Sequence, residues 1–134
     1  MPVIHVAAGL IQREGRYLIA RRKPDAHLGG FWEFPGGKRE PGETLEACLQ
    51  RELFEELHVR IAAPRLYQVV RHAYPEKTVE LHFFHCAIET GEAKPMDGTE
   101  LRWVLPDEFS QYRFPPADEV ILEALRRDAG RSLS

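Results

Sequence analysis

The sequence predicts an α/β fold, a β-sheet covered by two main helices. Three observations lead there. Segments dense in β-branched and aromatic residues recur along the chain, at residues 3–11, 17–21, 78–89 and 101–105. Two other stretches space their apolar residues as a helix would, one around Leu49 and one around Leu122. The two kinds of segment interleave, and a sheet must bury its apolar face against another layer.

Taken in order, residues 3–11 read as a strand and residues 17–21 as its return, with Glu14-Gly15 as the turn of a hairpin. Residues 24–30 are loop. Residues 31–34 form a short aromatic extended piece, closed by Pro35-Gly36-Gly37, a strong breaker. The clearest helix covers residues 44–57. Thr44 is a good N-cap, Glu46 complements the helix dipole, and Leu45, Leu49, Leu53 and Leu57 make a buried stripe. Residues 59–74 hold one or two strands interrupted at Pro64, and residues 78–89 another strand. A loop over 92–98 leads to a short strand around Trp103. Pro115-Pro116 then precedes a final helix over about residues 118–127, with Ile121, Leu122 and Leu125 facing inward.

Bulk properties narrow the function classes. At 134 residues the chain fits one domain, residues 1–134, with an ordinary soluble composition of 43% apolar and 29% charged residues. Net charge is −3, and no basic stretch stands out, so no nucleic-acid partner is expected. A small anionic substrate stays compatible, because a bound cation inverts the local field. No apolar run approaches membrane-spanning length, and Met1-Pro2-Val3-Ile4-His5 lacks the charged start of a signal peptide. Cys48 and Cys86 lie in apolar-periodic segments, as buried thiols in a reducing compartment would. The expectation is a cytoplasmic protein, monomer or homodimer.

The chemistry concentrates between Gly37 and Val59, where Glu40, Glu43, Glu46, Glu52, Glu55 and Glu56 accompany Arg51. At ~100° per residue, Glu52, Glu55 and Glu56 share an arc of roughly 100° beside the leucine stripe. Acidic clustering alone more often marks a solvated helix face. The Gly-Gly corner upstream changes that balance, because it lets a backbone carbonyl approach a metal and its ligand closely. Three carboxylates on a partly buried face repel unless neutralised, and a hard divalent cation is their natural partner.

Gly37, then Glu43, then Arg51-Glu52-Leu53-Phe54-Glu55-Glu56-Leu57 match the Nudix box in identity and spacing, and the chain resembles the Nudix family. One late position departs. The family's usual Gly is His58, just past the helix end, where a left-handed residue is often needed. Arg21-Arg22-Lys23-Pro24-Asp25-Ala26-His27, Trp32-Glu33-Phe34-Pro35-Gly36-Gly37-Lys38 and Phe114-Pro115-Pro116-Ala117-Asp118-Glu119 extend the similarity to the MutT-like branch.

The resemblance implies an α/β/α sandwich with a mixed sheet. It also implies Mg²⁺-dependent cleavage (Mn²⁺ as an alternative) of a nucleoside triphosphate, normal or oxidised, to a monophosphate and pyrophosphate. It assigns Glu52, Glu55, Glu56 and the Gly37 carbonyl to the metal, with Asp97 as an additional acid. Glu52 is the first choice for general base, while Arg51 and Glu43 orient the carboxylates. Arg22 falls near the phosphates, His27 in the same loop, and Phe34 and Asp118 beside the base. Asp118 stands where MutT-type enzymes have Asn, which shifts the expectation away from oxidised guanine. Each has a plainer reading: Arg22 as a surface cation, Phe34 as core, Asp118 as a helix cap, Asp97 and Glu100 as solvated loop acids. Two other functions stay open, hydrolysis of ADP-ribose or another nucleoside diphosphate derivative, and nucleotide sensing without cleavage.

Overall fold

In a computed structural model, residues 2–26, 29–95 and 99–132 are described, the last two by their backbone alone. The first hairpin pairs β1 (Val3–Arg13) with β2 (Arg16–Arg21). Glu14 and Gly15 both take positive φ, as a tight hairpin turn requires. β1 continues two residues beyond the expected strand. Its other edge lies parallel to β7 (Thr78–Cys86), from Val3 opposite Thr78 to Ile11 opposite Cys86. β7 pairs antiparallel with β6 (Arg65–Ala73), so the sheet is mixed. β9 (Leu101–Val104) lies against β2.

Two expectations fail locally. Pro35-Gly36-Gly37 is not only a breaker, since Gly36–Lys38 forms a strand, β4, on β1, while β3 (Trp32–Glu33) lies on β2. The reason is steric. A Cβ on Gly36 would sit 2.0 Å from the Ala7 carbonyl oxygen, so only glycine lets the backbones come this close. The second failure is residues 78–89, which break after Cys86. Ile88–Thr90 forms β8, paired with β5 (Arg60–Ile61) in a separate small sheet. Pro64 falls between β5 and β6, as the sequence predicts.

Strand alternation gives the sheet two apolar faces. Ala7, Ile11, Leu18 and Phe84 pack under α1 (Leu45–Leu57), whose Cys48, Leu49, Leu53 and Leu57 are buried against them. Ala8, Leu10, Ile19 and Phe83 face the other way, onto α2 (Glu119–Ser132) through Ile121, Leu122 and Leu125. Helix, sheet, helix is therefore the layer order. Thr44 caps α1 by accepting from the Ala47 N–H at 3.1 Å. His58 closes it in the left-handed conformation, φ 60° and ψ 37°. Two 3₁₀ turns, Pro106–Gln111 and Pro116–Asp118, lead into α2, which starts at Glu119 and outlasts the expected helix. Both cysteines are buried free thiols. Among the described residues no helix is long and apolar enough to cross a membrane.

The close approach of β4 to β1 sets a test. Gly36→Ala should force the two backbones apart and cost about 1–3 kcal/mol, lowering Tm by several degrees in a thermal melt followed by circular dichroism. An unchanged midpoint would show that the contact is slack.

Candidate active site

β4 and α1 meet at one point of contact. A Cβ on Gly37 would lie 2.3 Å from Glu52 Cδ, so the absent side chain leaves the space that the Glu52 carboxylate fills. Beneath it, the Cys48 thiol donates to the Gly37 carbonyl at 3.5 Å. That thiol is pushed up to about 11, by burial first and then by Glu43, so it stays a donor.

Arg51 organises the acids around this contact. Its guanidinium forks onto Glu43, Nε to Oε2 at 2.7 Å and Nη2 to Oε1 at 3.0 Å. Its Nη1 reaches Glu52 at 3.0 Å and Glu55 at 3.2 Å, and Nη2 also bonds the Lys38 carbonyl. The Arg51 hydrogen bonds, followed by that from the Glu40 backbone N–H, hold the Glu43 carboxyl down to about 2. A planar fork of this kind fixes the carboxylates in position more than it adds stability.

Glu56 lies beyond the reach of that clamp. Its Oε2 is buried and has no hydrogen-bond partner among the described residues. Burial first, then the charges of Glu52 and Glu33, push its carboxyl up to about 9. A buried orphan acceptor beside a second carboxylate is a costly arrangement unless a cation enters it. An oxygen-ligated divalent ion fits the Glu52, Glu56 and Gly37 carbonyl donor set.

On the other face of the sheet a cleft of about 310 Å³ is lined by Gly37, Phe34, Phe83 and Asp118, among others. Phe34 serves both readings: it lines this cleft and packs edge-on against Phe83 and Phe109, each 6.1 Å away. Asp118 directly precedes α2, yet its side chain lines the cleft and is only 7% exposed. Its carboxyl is pushed up to about 7, by burial before the nearby Glu33 and Glu119. Arg22 is not the surface cation of the plainer reading. Its Nη1 bonds Glu33 at 2.5 Å, partly buried, at the edge of the cleft.

A family model described as the NUDIX domain matches residues 6–124. The chain belongs to the Nudix family. It is 35% identical to the CTP pyrophosphohydrolase of Escherichia coli (strain K12) over 124 residues, 92% of each chain. To the 8-oxo-dGTP diphosphatase of the same organism it is 33% identical over 128 residues, 95% of this chain and 99% of that one. Among solved structures, the solution structure of the E. coli ORF135 protein has a TM-score of 0.82 at 33% identity, covering 95% of this chain and 91% of that one. The MutT protein from Methanosarcina mazei Go1 has a TM-score of 0.83 at 26% identity, covering 95% of each. The protein is a MutT-like Nudix hydrolase.

Not every expected residue of this Nudix hydrolase joins the cluster. Glu55 is the outlier among the box acids, with its side chain 56% exposed and turned to Arg51. His58 is exposed, and its ring packs on Phe54 with centroids 4.8 Å apart. Glu100 is a surface acid, paired with Arg21 and Arg102. His27 and Asp97 lie outside the described residues. One residue went unassigned in the sequence, Glu33. It lines the cleft with Asp118 and a second hollow with Glu56, and burial raises its pKa against the opposing pull of Arg22. Its signal was a lone acid inside the aromatic run Phe31-Trp32-Glu33-Phe34.

The raised pKa of Glu56 has a sign that can be measured. The folded state holds the proton more tightly than the unfolded chain, so this group's contribution to stability is present below about 4.5 and lost as pH rises towards about 9. Glu56→Gln should therefore raise Tm in EDTA at pH 7–8 and leave it unchanged near pH 4. A lower Tm at pH 8 would contradict the buried, unneutralised carboxyl.

Proposed function

We propose that this Nudix hydrolase cleaves a nucleoside triphosphate to the monophosphate and pyrophosphate with Mg²⁺, as a nucleotide-pool enzyme of the cytoplasm. The observation that carries the reading is that Arg22 and Glu33 line two adjoining hollows, one with Glu56 and the other with Asp118, Phe34 and Gly37. Glu52 stands against Gly37 beside them. A carboxylate platform on one side and a part-apolar cleft on the other suit the polyphosphate and the base of a nucleotide. The printed names of the relatives, CTP pyrophosphohydrolase and 8-oxo-dGTP diphosphatase, agree with the substrate class.

In this account Glu52, Glu56 and the Gly37 carbonyl would hold Mg²⁺, with Glu55 as a further ligand; Asp97, a candidate by resemblance, lies outside the described residues. When bound, the ion would neutralise charge on the phosphates and acidify a water. Glu52 removes the proton from the attacking water. It is suited to this because Arg51 and the Gly37 backbone fix it on two sides. Arg51, itself fixed by Glu43, positions Glu52 and touches no substrate. Arg22 neutralises phosphate charge, with Glu33 orienting it. Phe34 forms part of the wall next to the base.

Asp118 selects the base, and its chemistry differs from that expected of an ionised Asp. Near neutrality the buried carboxyl is part protonated, and the acid form offers one donor and one acceptor, as Asn would. The ionised form only accepts, and so favours bases that present an exocyclic amine. Base preference should therefore change between pH 6 and pH 8 in the wild type and stay flat in Asp118→Asn. The expected change in relative kcat/KM is about five- to 150-fold, the worth of roughly 1–3 kcal/mol in one mismatched hydrogen bond. Identical pH profiles of base preference in the two proteins would reduce Asp118 to a helix cap.

The assignment of the platform is tested by Glu52→Gln, which keeps the shape and removes the charge. Turnover of CTP and 8-oxo-dGTP should fall by orders of magnitude with the circular dichroism unchanged. Near-wild-type turnover at saturating Mg²⁺ would remove Glu52 from the chemistry.

A further inference from the structure

On the face of the sheet that carries α1, away from the cleft, three more ligating side chains converge. His5 on β1 and Glu80 on β7 are register partners across the parallel pair, and His82 follows two residues along β7. Residues two apart on a strand share a face, so alternation sends Val6, Val79 and Leu81 into the cleft and turns these three away from it. His5 Nδ1 and His82 Nε2 are 3.4 Å apart, and Glu80 Oε1 stands 3.5 Å from the first and 3.1 Å from the second. Three donors at the corners of one face of a tetrahedron, with bonds of 2.0–2.1 Å to a central Zn²⁺, would lie about 3.3 Å apart. The observed triangle has that size.

The surroundings prepare the same three atoms. Arg71 takes the other oxygen of Glu80, with Nε at 3.2 Å and Nη2 at 2.8 Å, and so leaves Oε1 directed at the two rings. That hydrogen bond also holds the Glu80 carboxyl below its usual range, in the ionised form a metal needs. His82 is 8% exposed and its pKa is lowered, by burial first, which keeps the imidazole neutral. Arg39 is the cation that opposes positive charge here, and its backbone N–H bonds the His5 carbonyl at 2.9 Å. His5 is the most open of the three, with 30% of its side chain exposed, which leaves an approach from solvent.

We propose that His5, Glu80 and His82 form a Zn²⁺ site with a fourth position left to water, separate from the carboxylate platform. Two imidazoles favour Zn²⁺ over Mg²⁺, whereas an all-oxygen set favours Mg²⁺. A cation here ties β1 to β7 at the start of the loop that carries Glu40 and Glu43, and binding to the folded state alone stabilises it.

The experiment uses untagged full-length protein, stripped of metal and titrated with Zn²⁺ alone. Bound metal is measured after gel filtration, and Co²⁺ serves as a visible-absorption reporter of a low-coordinate nitrogen–oxygen site. Wild type and the double variant Glu52→Gln/Glu56→Gln should each retain one equivalent of Zn²⁺, show the Co²⁺ bands and gain several degrees in Tm. His82→Gln should lose all three responses. His5→Gln, at the more exposed position, should do the same and guards against misfolding at His82. Equal Zn²⁺ uptake in wild type and both histidine variants would overturn the site. So would uptake lost only in the glutamate variant, or no uptake at all, which would leave a hydrogen-bonded network held by protons.

Discussion

The mutual repulsion of Glu52 and Glu56 is the constraint around which this fold is arranged. Both carboxylates stand on one side of a helix that must also bury Leu49, Leu53 and Leu57 against the sheet, so neither can turn fully to solvent. The chain holds the first carboxylate with the Arg51 clamp and leaves Oε2 of the second unpaired among the described residues. A platform balanced in this way is destabilised when empty, and the interaction with a cation offsets that cost. On the proposed function, the same tension would favour a hard divalent ion at this site.

The close approach of backbone to carboxylate explains why the glycines lie where they do. Gly36 lets β4 lie on β1, and Gly37 lets Glu52 lie on β4. Neither needs a positive φ, so their role here is room rather than conformational freedom. The short segment Trp32–Lys38 thus spans from β2 to β1 and reaches both functional ends. Phe34 and Glu33 line the cleft, and Gly37 meets Glu52.

The sequence carries the first helix almost to the residue, because Thr44, the leucine spacing and the residue after Leu57 each obey a local rule. His58 occupies the left-handed position that the motif's glycine would fill, so the departure from the Nudix pattern is absorbed by the cap. Strand identities were legible for the same reason, since β-branched runs report locally. What stayed hidden depended on which strands become neighbours. β4 reads as a breaker until β1 is placed beside it, and the long run over 78–89 reads as one strand until β5 captures its end. Glu33 and the His5–Glu80–His82 triangle belong to this class. Alternation shows that Glu80 and His82 share a face, but nothing local to β7 reports that His5 lies across from Glu80. Residue type alone makes Asp118 an acceptor, and only its burial in the fold accounts for a carboxyl pushed up to about 7.

The central claim is that the Glu56 carboxyl waits for a divalent cation. Its proton must then leave when the ion arrives. Calorimetric titration of Mg²⁺ into the metal-free protein at pH 7.5, in buffers of different ionisation enthalpy, measures that proton directly. The account predicts release of close to one proton per Mg²⁺ in the wild type and almost none in Glu56→Gln. Mg²⁺ binding with no proton release in the wild type, or with the same release in both proteins, would contradict it.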